Sequence, residues 1–163
     1  MKEYTILIGS DTKVSGSAAN DLTYNFDWSI LPEGEYELSF VFISEPKKMT
    51  TTAITDATQA VMVGINVPLS GDRYKTSLTG SSATSNIMGL IKMVGVDGFV
   101  DTNSDPTDYA IRQWKSLPDN PSIKLKGSPQ GNTIRVELLQ NDETLAAHHP
   151  TKYQLMLKLR HVC

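Results

Sequence analysis

The sequence predicts an all-β protein: a two-sheet antiparallel sandwich, most simply a single eight-stranded jelly-roll domain that takes in residues 1–163. Three observations carry this. Apolar and polar residues alternate at period two through most of the apolar segments, the mark of strands with one buried face. Gly, Pro, Asn, Asp and Ser bound those segments and supply the turns. No stretch shows the periodicity of a long amphipathic helix, and there is no internal repeat.

Taken in order, "YTILI" (Tyr4 to Ile8) is the first strand. "LTYNFDW" then places Leu22, Tyr24, Phe26 and Trp28 on one face, with Thr23, Asn25 and Asp27 on the other. Pro32-Glu33-Gly34 is turn chemistry, Pro fixing φ and Gly free to take positive φ. After it, "EYELSFVFIS" sets Tyr36, Leu38, Phe40 and Phe42 against Glu35, Glu37 and Ser39. "AVMVGINV" (Ala60 to Val67), "NIMGLIKMV" (Asn86 to Val94), "PSIKLKG" (Pro121 to Gly127) and "NTIRVELLQ" (Asn132 to Gln140) follow. In the closing "YQLMLKLRHV", Tyr153, Leu155, Leu157 and Leu159 face in while Gln154, Lys158 and Arg160 face out. That makes about eight strands.

Three longer connections, Pro46 to Gln59, Leu69 to Ser85 and Asp101 to Asn120, are rich in Thr, Ser, Gly, Asp or Pro and read as loops within one domain. Inside the last, "DPTDYAIRQW" fits either a short helix, capped by Asp105 with Pro106 at its first position, or a distorted strand. An immunoglobulin-like sandwich competes with the jelly roll, and strand count does not separate them.

Composition narrows the functional classes. Charged residues make up 20% of the chain and the formal net charge is −3, with no run of Lys or Arg longer than Lys47-Lys48. Nucleic-acid binders carry a basic stripe, so direct binding to a phosphate backbone is not expected. The one cysteine, Cys163, cannot make an internal disulfide, which suits a reducing compartment. No apolar run is long enough for a signal peptide or a membrane span.

The candidate chemistry is thin. Adjacent His148 and His149 invite a metal site, but on extended chain their side chains diverge. His161 and Cys163 lie a strand's length away, roughly 40 Å, so no metal site is expected. Asp101, Asn103 and Asp105 begin like a calcium loop. The sixth and twelfth positions, however, hold Pro106 and Arg112 where that motif needs Gly and Glu. A calcium site of another kind in the Asp101–Asp108 loop stays open.

There is no Gly-x-Ser-x-Gly elbow and no phosphate-binding Gly-x-x-x-x-Gly-Lys-Ser/Thr loop. Glu35 and Glu37 share a strand face and read as solvated charges beside a hairpin turn. No catalytic residue and no cofactor is expected. Trp28 is in phase with its strand's apolar face and belongs to the core, whereas Trp114 falls in a long connection and is a candidate surface residue. Tyr109, Trp114, His148 and His149 are the candidate contact residues.

The segments "NDLTYNFDWSILPEGEYELSFVFISE", "DNPSIKLKGSPQGNTIRVELLQND" and "YQLMLKL" occur in that order and span most of the chain. Together they resemble the jelly-roll minor capsid proteins of large icosahedral DNA viruses, in particular those of algae and related protists. In that family an alternating strand follows a Pro/Gly turn. A "DNPP"-led strand then passes through a polar turn into a Val/Leu-rich one, and a Tyr/Leu-rich strand closes the sheet. Ser122 replaces the family's usual second Pro, and the "RHVC" ending differs from its relatives' aromatic-acidic one.

The resemblance implies a non-enzymatic viral structural protein that cements or supports major capsid capsomers in the virion, through its long loops. A penton protein at the vertices, or a lectin-like receptor-binding module, are the alternatives. Implied partners are the major capsid protein and other minor capsid proteins, in a homo- or hetero-oligomer made in the host cytoplasm. The family carries no catalytic set, so no functional residue is transferred.

Overall fold

The computed structural model describes residues 1–50, 60–71, 86–95, 109–140 and 144–162. Among them the chain is all-β, an antiparallel sheet curled around one core. Its strands are β1 (Lys2–Gly9), β2 (Asp21–Asn25), β3 (Gly34–Ser44), β4 (Lys47–Thr50), β5 (Val61–Ile65), β6 (Ser70–Gly71), β7 (Ile87–Gly95), β8 (Tyr109–Ser116), β9 (Ile123–Gly127), β10 (Thr133–Leu139) and β11 (Tyr153–His161). The strands predicted from alternation are all present, with their ends shifted by a few residues.

Pairing is nested: β1 lies against β11, β2 against β10, β3 against β9 and β5 against β7. The chain therefore runs out and back like one long hairpin rolled up on itself. Cross-links between those pairs complete the curl. β11 also pairs with β3, β10 with β5, and β8 joins β7 to the C-terminal end of β3 at Ile43–Lys115.

The rolled sheet encloses a single apolar cluster to which both ends of the path contribute. Leu38, Leu157 and Leu159 from one part meet Val63, Ile91, Val136 and Leu138 from the other, all with no exposed surface. Each such side chain removed from water contributes about 1.5–3 kcal/mol. The hydroxyls of Tyr24 on β2 and Tyr153 on β11 meet in this core at 3.1 Å. Burial pushes both phenols up, so the pair stays neutral and bridges two strands that share no backbone ladder.

Three expectations need correction. β2 and β3 do not form a hairpin: β2 pairs with β10, and β3 with β11 and β9. The link between them is too long for a tight turn and is pinned elsewhere. Asp27 caps a short 3-10 turn over Trp28–Ile30, its carboxylate accepting from the Ser29 amide at 3.0 Å. The Trp28 amide donates to Gly131 and its indole N–H to Thr133, each directing the chain towards β10. The Tyr36 hydroxyl then donates to the Pro32 carbonyl and fixes the exit into β3.

Second, the Tyr109–Trp114 segment is strand, which settles the helix-or-strand alternative for those residues. Trp114 is accordingly buried, at 5% exposure, and is not a surface-loop residue. Its amide donates to the buried Ser44 hydroxyl at 2.7 Å, so β8 is fastened to the end of β3 through a side chain. Third, β4 and the two-residue β6 lie in stretches expected to be loops. The short, polar β6 is recruited by Lys126 and Leu125 of β9, and β4 by Arg112 to Tyr109 of β8. The Asp101–Asp108 calcium candidate lies outside the described residues.

On the outside of β2 and β10, Arg135 forms a two-pronged ion pair with Asp21 at 2.8 and 2.9 Å. The Arg135 hydrogen bond holds the Asp21 carboxyl below its ordinary range. A carboxylate depressed in the folded state adds stability above its unfolded pKa, and that contribution is lost as pH falls through the folded value. Both partners are partly exposed, so the pair is worth about 0.2–1 kcal/mol. Asp21→Asn is therefore expected to lower stability by that amount at pH 7. The difference from the parent should begin to shrink below about pH 4 and vanish once the pH has passed the lowered folded value, read by urea unfolding at each pH.

Candidate interaction surface

The sequence-predicted contact residues do not converge. Trp114 is in the core, and Tyr109 opens β8. His148 is exposed and His149 half-buried, in the segment that leads into β11. The His149 Nδ1 lies 2.9 Å from the Pro150 carbonyl oxygen. That segment is anchored by Ala146, a buried residue whose amide donates to Leu138. His161 sits at the far end of β11, its ring 5.0 Å from that of Tyr36 and its Nε2 3.3 Å from the Glu33 carbonyl. Among the described residues no three His, Cys, Asp or Glu side chains are placed to hold a metal ion.

A different feature emerges on the outer face of β1, β11 and β3. Register places Leu7, Met156 and Val41 in one row across the three strands, and Gly9, Gln154 and Ile43 in the next. Leu7 is 74% exposed, Val41 45% and Ile43 41%. Side chains in adjacent rows of a sheet stand close enough to touch, so these four apolar residues form one patch. It lines a shallow groove of about 320 Å³ with Thr12 and Gln154. A more polar groove of about 410 Å³ adjoins it at the strand ends, bounded by Asp11, Glu45 and Lys152 around Tyr153.

Further along the same face the chemistry reverses. Thr5, Lys158 and Ser39 make the third row, and Glu3, Arg160, Glu37 and Lys124 the fourth. Arg160 and Glu37 are 2.7 Å apart, and opposite charges alternate across the row. This end is an ordinary solvated sheet face. The other is apolar on the strands themselves and grooved, with Asp11 the one charged residue among the described residues lining the smaller groove. Scattered single apolar residues on a surface need no explanation, whereas a contiguous patch marks a place that another surface covers.

Sequence reasoning missed this patch, although it left a trace. Strict alternation lapses in "ILI" (Ile6 to Ile8), in "FVFI" (Phe40 to Ile43) and in "LML" (Leu155 to Leu157). Each lapse puts an apolar residue on the wet side of its strand. No protein-family model matches the chain, and no curated protein is significantly similar to it, so its function has to be argued from these residues.

Proposed function

We propose that the chain is a viral structural protein, a minor capsid component that cements or supports major capsid capsomers through its outer sheet face. The observation that carries the reading is the pairing of an apolar, uncharged patch with a nested strand order. Pairing of first with last, second with second-last and so inward is the order that rolling a long hairpin into a jelly roll produces. Backbone pairing runs β1-β11-β3-β9 and β2-β10-β5-β7, with β8 joining the two runs between β3 and β7.

A jelly-roll sandwich offers broad sheet faces for packing between neighbours. An interface centre depleted of charge suits such packing, because burying unpaired charges is costly. Nothing in the proposal calls on catalysis. The lectin-like alternative loses its best aromatic platform, because Trp114 is buried.

The test is biochemical. Particles of the virus that encodes the chain are purified, washed with detergent and quantified by mass spectrometry. Retention at many copies per particle is the expected result. Absence from washed particles would overturn the proposal. A five-fold assembly of the purified chain would move the assignment from cement to vertex.

A further inference from the structure

The two strands that end the sheet path treat their free edges differently. β2 pairs with β10 on one side, and on the other the chain's own Val14–Ser15 segment covers it. The Val14 amide donates to the Thr23 carbonyl at 2.8 Å, and the Thr23 amide donates to Ser15 at 3.1 Å. β1 pairs with β11 along its whole length, from Lys2–His161 to Gly9–Gln154. Among the described residues nothing pairs with its other edge. At the strand's end the Thr12 hydroxyl donates to the Gly9 carbonyl.

Exposed edges are normally blunted by Pro, by bulges or by charges, since unpaired backbone groups template pairing with another chain. β1 has no Pro, its register is unbroken, and its only charges are Lys2 and Glu3 at the start. The rest, "YTILIG", is uncharged and rich in strand-forming residues. A groove of about 230 Å³, lined by Ile6, Leu7 and Ile8 of β1 and by Val14 and Tyr24 to Phe26 across from it, opens beside that edge.

We propose that β1 pairs antiparallel with β1 of a second copy of this chain, joining the two sheets across a two-fold axis at Ile6. The register follows from side-chain chemistry. In an antiparallel pair, residues opposite each other share a face, so only odd-with-odd and even-with-even registers are allowed. Centring on Ile6 sets Tyr4 opposite Ile8 of the second copy, an aromatic with a β-branched residue, which is a favourable cross-strand pair.

The same register sets Thr5 opposite Leu7 and leaves Glu3 opposite Gly9, with Lys2 beyond the ladder. Centring one residue earlier would set Glu3 against Leu7 and Lys2 against Ile8, charge against apolar side chain. The chosen register also sets Leu7 of each copy diagonally across the joint from Leu7 of the other, within reach of an apolar contact. A strand that complements itself in this way fits its own copy better than a foreign segment. The inference stands apart from the capsid proposal.

Sedimentation equilibrium of the purified full chain tests it, with circular dichroism to confirm the fold of each variant. The parent is expected to be dimeric at about 100 µM, a concentration that favours even micromolar pairing. Thr5 and Leu7 both point outward and are exposed, so lysine is tolerated there by the monomer. Thr5→Lys with Leu7→Lys places lysines opposite each other twice, and the dissociation constant should rise about tenfold or more. Thr5→Lys with Leu7→Glu places opposite charges at the same two points and should restore the dimer. A monomeric or pentameric parent would overturn the proposal. So would a dimer that the double-lysine variant leaves intact, or one that the Lys/Glu combination does not restore.

Discussion

Trp28→Ala is expected to destabilise the protein by about 3–5 kcal/mol, a large part of the roughly 5–15 kcal/mol that holds a domain together. Trp28 is 1% exposed, and three kinds of contact meet on it. Its ring packs edge-on against Phe26 at 4.8 Å, and its indole N–H donates to the Thr133 carbonyl at 2.8 Å. Its backbone amide donates to Gly131 at 2.9 Å. Truncation removes the first two, leaving a cavity and a carbonyl without its donor.

Trp28→Phe separates the terms. It keeps most of the ring volume but loses the indole hydrogen bond, and should cost about 1–3 kcal/mol. Urea unfolding followed by circular dichroism reads both variants. If Trp28→Ala cost less than Trp28→Phe, the side chain would not be the anchor that swings the chain from β2 across to β3.

The second large effect concerns the outer face. Val41→Lys combined with Ile43→Lys should lower retention in particles by roughly thirtyfold or more, the loss expected when central interface residues worth about 2 kcal/mol are removed. The fold should be preserved, because both side chains are largely exposed, and surface changes of this kind shift stability by only about 0.5 kcal/mol each. Thermal unfolding of the isolated variant checks that half, and mass spectrometry of washed particles the other. Both residues lie on β3, away from the β1 edge, so the result bears on the packing face without disturbing self-association. Control changes at Lys158 and Lys124, on the charged end of the same face, should leave retention near the parent's. Equal loss from the controls would show that the apolar patch is not the contact.

Much of the fold was legible because a half-buried strand imposes a period of two on its sequence. Tyr36, Leu38, Phe40 and Phe42 were assigned inward from spacing alone, and all four are buried. The same holds for Tyr153, Leu155, Leu157 and Leu159. Trp114 was misplaced for a physical reason. β8 is fastened at Ser44 through a side-chain hydroxyl and pairs with β4 and β3, both distant in sequence, and nothing local in "YAIRQWKS" announces either. The apparent β2–β3 hairpin failed likewise: the turn residues were read correctly, but a turn does not say which strand lies next door.

By itself, then, the sequence determined the strands whose residues alternate and which face of those is wet, since both are set by neighbours one or two positions away. It also held the three lapses of alternation, Leu7, Val41 with Ile43, and Met156, each unremarkable in its own strand. Tertiary structure alone decided that these lapses lie side by side. Register between β1, β11 and β3 is fixed by the inward rows locking into the common core, and a slip of one residue would turn every inward side chain to water. Partners far apart in sequence thereby make one apolar surface, and beside it β1 has an edge that no other described strand pairs with.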